Sequence, residues 1–383
     1  QTNNHLSYAN RYELRQDLRA YSTRGLIGCG IVGDDTLLEL KAYQSETRVK
    51  VGRMNPCKRH YCPVCSQHIA SERQVLDQRR VEAYIESTPE KERETLRFFF
   101  LTGTLGHSKK DRLEDLIRTL SKTFFRVLSD TKRKAKRDGQ GEVEFLRALD
   151  YTYNEKNGHH PHIHSLIITR GIVDKNYLSE LISYARERWI KLVKLSGYTI
   201  NKAKGIVILE TKKESLETLT KYLNKGSKLV QELVKTGNTQ ARYSWTGSLT
   251  FEDIWGKVVS GSPKWKRVWN EIEEAFHNKK VFSASKGLSD LTINEEQPEP
   301  EDKLETIELI TGKVSKELEQ KKLMVPLIKL YGSFIEGENL DLYDPVVRNL
   351  RATRFYQRNR AEKLWLQSFL ALVSALQLYQ MRV

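Results

Sequence analysis

The chain has 383 residues, 39% of them hydrophobic and 30% charged, with lysine and arginine exceeding aspartate and glutamate by 15. That length supports two or three domains with a buried core, and the basic excess points to a polyanion, nucleic acid before an anionic membrane. No apolar run approaches a bilayer span, and Gln1-Thr2-Asn3-Asn4-His5 lacks the basic-then-apolar order of a signal peptide, so the expectation is a cytoplasmic protein with no membrane partner.

Residues 11–20 are predicted as a short amphipathic helix. All four cysteines follow: Cys29 in Gly28-Cys29-Gly30, then Cys57, Cys62 and Cys65 in a C-x4-C-x2-C run. Clustered thiols in a reducing compartment are more often metal ligands than disulfides. Short turns deliver paired cysteines to the tetrahedral corners of Zn²⁺. Cys29 and Cys57 would complete an all-cysteine site, or His60 or His68 would replace one of them; unrelated buried thiols are the plainer alternative. Lys58, Arg59 and Arg73 around this knuckle suit DNA contact or simple solvation. Ser66 to Ser87 is predicted as a helix, Leu96 to Leu105 as a strand, and Asp111 to Leu128 as an amphipathic helix. The basic run Lys132 to Gly139 reads as a loop, either solvated or on a DNA backbone.

Glu144 to Tyr153 and Pro161 to Thr169 are strand-like, and Asn154 to Gly158 has turn composition, which makes a hairpin. Tyr177 to Lys194 is helical, Gly205 to Leu209 a strand, and Leu216 to Asn224 a short helix carrying Tyr222. Asn294 to Asp302 is an acidic, proline-containing linker, and 304–383 reads as helical. This order implies an α+β fold: an antiparallel central sheet with flanking helices, an N-terminal cysteine module and a helical C-terminal region.

The chemistry centres on His160-Pro161-His162-Ile163-His164. On a strand, side chains alternate, so His162 and His164 share a face while Ile163 enters the core. Two imidazoles side by side grip a divalent metal, although an isolated H-x-H is common without one. With the turn centred near Asn157, Asp150 would face His164 across the ladder, and His160 would be a third or substitute ligand. Such a set suits Mn²⁺ or Mg²⁺, with Zn²⁺ or Ni²⁺ also able to sit there, and the ion would polarise a phosphodiester. Tyr222, in Lys221-Tyr222-Leu223-Asn224-Lys225, could attack phosphorus, with Lys225 steadying the phosphate; a packing role is the ordinary fate of one tyrosine among 17.

Taken together, the ordered motifs resemble plasmid rolling-circle replication initiators of the HUH endonuclease superfamily, in the group with an upstream cysteine motif. They are Cys29-Gly30, Cys57 to Cys65, Phe99-Phe100-Leu101-Thr102-Gly103-Thr104, Phe145 to Asn154, His160 to His164 and Lys221 to Lys225. The resemblance covers residues 25–230. It implies a metal-dependent, sequence-specific nick at a replication origin, with Tyr222 linked to the 5′ phosphate and a free 3′ hydroxyl left to prime synthesis. His162 and His164 would hold the ion, with Asp150 where the family usually has glutamate. Members often carry a glutamate four residues before the tyrosine; here that position is Thr218, and Glu217 is the nearest candidate for activating water. The implied organisation is an N-terminal region with the zinc-like module (1–90), a nicking domain (91–290), an acidic linker (291–303) and a C-terminal region (304–383). The implied partners are origin DNA and a host helicase. An insertion-sequence transposase of the same superfamily, or a zinc-module DNA-binding regulator without catalysis, are the competing readings.

Overall fold

The computed structural model describes residues 8–31, 37–43, 49–52, 55–200, 205–210, 248–291 and 304–311. The predicted helix with Glu217 and Tyr222, Lys225 just after it, residues 292–303 of the acidic linker, and residues 312–383 lie outside them. In chain order the elements are α1 (Tyr8–Arg19), β1 (Leu37–Tyr43), β2 (Val49–Gly52), α2 (Cys65–Ser87), α3 (Glu90–Arg93), β3 (Arg97–Thr104) and α4 (Leu113–Arg137). Then come β4 (Glu142–Asn154), β5 (Gly158–Arg170), α5 (Lys175–Leu195), β6 (Ile206–Glu210) and β7 (Ser248–Leu249). The last are α6 (Phe251–Val259), α7 (Pro263–Phe276), β8 (Phe282–Ala284), α8 (Lys286–Ser289) and β9 (Leu304–Thr311).

The chain clusters into two units, one of residues 14–27 and 57–295 and a smaller one of 1–13, 28–56 and 296–383. In the smaller unit, β1 pairs antiparallel with β2 and with β9. Residues 304–311 therefore correct the helical reading of the C-terminal region: Leu304-Glu305-Thr306-Ile307-Glu308-Leu309-Ile310-Thr311 is rich in β-branched residues, which favour a pleated ladder.

The larger unit is an α+β fold around an antiparallel sheet of order β6-β3-β5-β4-β7, with β8 also on β4. Helices α4 and α5 cover one face. Phe124 and Trp189 meet edge to face at 5.7 Å above Gly103, where a Cβ would come within 2.6 Å of the Phe124 ring. Glycine is thus the residue that lets α4 close on β3. A capping box starts α6, in which Thr250 and Asp253 bond each other's backbone N–H. Trp255 of α6 donates its indole N–H to the Tyr61 carbonyl at 2.9 Å, which anchors the cysteine-bearing segment.

The basic stretch expected to be a loop is instead the last turns of α4. No glycine or proline interrupts it before Gly139, its lysines and arginines are good helix formers, and cations suit a helix C-terminus. Its charges are largely committed: Lys132 pairs with Glu144 and Arg133 with Asp130, and Lys134 binds Asp138 at 2.8 Å and Glu180 at 2.9 Å. These pairs favour a solvated helical face over DNA contact at this run.

Candidate active site

The hairpin β4–β5 carries the histidines. Asn154 Oδ1 accepts from the backbone N–H of Lys156 and Asn157, and Gly158 turns at φ 82°, a conformation open to glycine. The turn therefore closes Asn154 onto Gly158 and centres on Lys156, not near Asn157. This corrects the expected register: Asp150 stands opposite His162, and Ala148 opposite His164. The shift is two residues, so Asp150 stays on the histidine face. On the next strand Thr102 faces His164 and Thr104 faces His162.

Asp150 Oδ2 lies 2.9 Å from His162 Nε2 and 4.0 Å from His164 Nε2, and the three donor atoms fall within 4.8 Å of one another. Each side chain is fixed from behind. Asp150 Oδ1 accepts the Tyr151 N–H at 2.7 Å, His164 Nδ1 meets Thr102 Oγ1 at 2.9 Å, and His162 Nδ1 lies 3.3 Å from the His160 carbonyl. With both Nδ1 atoms occupied, both Nε2 atoms are turned toward one carboxylate oxygen. Burial pushes the His162 imidazole down, but the Asp150 charge and hydrogen bond outweigh it and leave the group above its ordinary range. Ligands about 2.1 Å from one ion lie at most about 4.2 Å apart, so a small closing of the three donors would let one ion touch them all, and a two-imidazole, one-carboxylate set leaves positions open for substrate oxygens. These residues could hold a divalent cation.

The sequence motif gives Thr102 no role; in the structure its hydroxyl is the outer contact of His164, one of the three residues that could hold a cation. Thr102→Val is expected to weaken Mn²⁺ binding about 10–100-fold while the fold stands. Calorimetric titration checks this, and an unchanged affinity would leave Thr102 with a packing role only.

His160 shares the face but not the ligand group. Its Nδ1 lies 2.7 Å from Nε2 of His107, in the loop after β3, so its expected role as a third ligand is not what the structure displays. Burial first, then His162 and His107, hold His160 down at about 4. Burial also lowers His107. A lone histidine in a loop gives no sequence signal for this pairing. On the opposite face, His159 binds Tyr151 Oη and Glu271 Oε2, each at 2.8 Å, tying the hairpin to α7. Neither His159 nor Glu271 was anticipated.

None of the four cysteines is in a disulfide. Cys57, Cys62 and Cys65 converge, with Cys57 and Cys65 sulfurs 3.7 Å apart and the Cys65 N–H directed at Cys62 Sγ at 3.5 Å. These three thiols could share a metal ion, and Cys29, the fourth, is a buried residue of the smaller unit. The histidine alternatives are not in that set: His60 packs edge-on against Phe282 at 5.2 Å, and His68 pairs with Glu72 on the exposed side of α2. Nor is Arg73 a free cation for DNA, since it binds Asp77 at 2.9 Å.

His60 is likewise pushed down to about 4, first by burial and then by Arg73. An unfolded histidine titrates near 6.5, so between pH 6.5 and 4 the unfolded chain binds more protons at this position. The stability from a neutral His60 is present above pH 6.5 and lost as pH falls toward 4. In urea unfolding between pH 7 and 5, His60→Gln should flatten the pH slope by up to ~1 kcal/mol per pH unit. A slope equal to the wild type's refutes this.

With fold and site in place, the chain belongs to the replication-protein family: the family described as Replication protein matches residues 48–328, well over half the chain. It is similar to a protein named Protein rep of Staphylococcus aureus, 28% identical over 197 residues that span 50% of this chain and 80% of that one. A Protein rep of Lentilactobacillus hilgardii is 24% identical over 173 residues, 42% of this chain and 51% of that one. No solved structure matches significantly. Among the described residues, no helix is long and apolar enough to cross a membrane.

Proposed function

We propose that this protein is a plasmid replication initiator of HUH type. It binds the double-strand origin, nicks one strand at a specific sequence to start rolling-circle replication, and later rejoins the strand. The observation that carries the reading is the convergence of His162 Nε2, His164 Nε2 and Asp150 Oδ2 on one face of the hairpin. The family match favours replication over transposition.

In this reading, Mn²⁺ or Mg²⁺ held by those three residues would polarise the scissile phosphate and neutralise charge on it. Tyr222 Oη would attack phosphorus as the P–O3′ bond breaks, and the phenolic proton would pass, through solvent, to the departing O3′. The products are a 5′-phosphotyrosine and a 3′ hydroxyl that primes synthesis. Attack of a 3′ hydroxyl on the phosphotyrosine reverses the step and rejoins DNA. Lys225 would steady the phosphate, and Glu217 would activate water if the reaction ends by hydrolysis. Residues 91–290 form the nicking domain, and Zn²⁺ on Cys29, Cys57, Cys62 and Cys65 would be structural, since all-thiolate sets are closed sites. A host helicase would follow on the opened strand.

The test is incubation with single-stranded oligonucleotides covering the DNA that flanks the coding sequence, with Mn²⁺ or with EDTA. A metal-dependent covalent adduct and a free 3′ hydroxyl are expected. No cleavage of any of them with Mn²⁺ would defeat the enzyme reading and leave a DNA-binding regulator.

A further inference from the structure

The face of β5 that carries the histidines has two unlike ends. Beyond His164, Leu166 and Ile168 continue the row and are 1% and 0% exposed, so the face is closed there. Toward the hairpin tip it opens. His160 is half-buried, and Lys109, Lys110 and Lys156 beyond it are exposed. The Lys109 loop lies against the tip: its Nζ donates to the Glu155 carbonyl at 3.0 Å, and its Cα would lie 3.0 Å from a Cβ at Gly158. The acidic neighbours are engaged, Asp111 by the N–H and hydroxyl of Ser108 and Glu155 by Lys264 at 2.9 Å.

We propose that a DNA strand held at the Asp150–His162–His164 site leaves it along β5 toward the hairpin tip, touching His160, which His107 positions, first and then Lys109, Lys110 and Lys156. This path rests on reading the site as a nicking site. Two residues of strand advance about 6.8 Å, so His160 sits beside the reacting phosphate rather than at it. His160, held in place by its 2.7 Å contact with His107, offers a hydrogen bond and the lysines offer charge, so the two contacts differ in their response to salt.

The probe is a 20-nucleotide thymidine oligomer, with binding followed by fluorescence anisotropy in EDTA over a range of salt. Each phosphate neutralised on a single strand contributes about 0.7 to the slope of log affinity against log salt. The triple variant Lys109→Gln, Lys110→Gln, Lys156→Gln should therefore reduce that slope by about 2 and weaken binding at low salt. Lys122→Gln, Arg126→Gln, Lys136→Gln, all on α4 behind the sheet, should leave the slope unchanged. His160→Gln and His107→Gln should each weaken binding several-fold at an unchanged slope. An unaltered slope in the tip variant, an equal loss in the α4 variant, or no oligomer binding by the wild type overturns the path. A wild type that binds as described but cuts nothing with Mn²⁺ removes the nicking reading instead.

Discussion

Tyr222→Phe is expected to abolish the covalent protein–DNA adduct and to lower nicking by on the order of 10⁴-fold or more, as removal of a nucleophile does elsewhere. Phenylalanine keeps the ring and deletes the one atom that would attack phosphorus. Binding of the uncut oligonucleotide should persist, because the lost hydroxyl contributes at most about one hydrogen bond to affinity. The measurement is a denaturing gel with DNA labelled on the 3′ side of the nick, so that the 5′-linked product carries the label. An adduct of undiminished yield would assign the nucleophile to another of the 17 tyrosines. Glu217→Gln in the same assay separates opening from closing: if Glu217 activates water, the adduct accumulates.

The second large effect is at Asp150. Asp150→Asn preserves shape and leaves an oxygen for the Tyr151 N–H, so the fold should stand. It removes the charge that draws the two imidazoles together and that raises His162. Three consequences follow from one cause. Mn²⁺ binding should fall steeply. Nicking should drop by about 10³-fold, the scale of several kcal/mol of metal-assisted stabilisation. In the metal-free protein, His162 should return toward or below its ordinary range, which histidine NMR titration reads. Protons and the ion compete for the same Nε2, so wild-type Mn²⁺ affinity should decline on acidification from above pH 6.5. Full nicking by Asp150→Asn, with Mn²⁺ affinity intact, would remove Asp150 from the site.

The hairpin and its histidine face were legible because a period of two and a turn composition are local signals. The register was not. It depended on which of Asn154, Asn157 and Gly158 closes the turn, and the Asn154 side chain decided that by accepting two backbone N–H groups. The end of the long α4 is hidden in the sequence because a run of cations carries no period of its own. Asp130 and Asp138, at spacings of three and four residues from their partners, make that run a helix. Glu271 of α7 gives no local signal, because its bond to His159 joins residues 112 positions apart. His107 was invisible for a similar reason, since only the fold brings it to His160. The four-cysteine spacing is readable, but whether His60 or His68 replaces Cys29 or Cys57 is not, because the packing of His60 on Phe282 and the pairing of His68 with Glu72 are visible only in the fold.

The hairpin has one more consequence. Asp150, His162 and His164 lie within a single pair of adjacent strands joined by a short turn, so bringing them together closes a very small loop at little entropic cost. Isolated hairpins form in about 1–10 μs, far sooner than contacts with distant segments such as α7. The Asp150–His162–His164 cluster is therefore a low-contact-order element, able to assemble early in folding, whereas the hairpin's His159-to-Glu271 brace arrives only when the later helices dock. A divalent ion present during refolding should accordingly accelerate the hairpin's phase and leave the later docking phase unchanged.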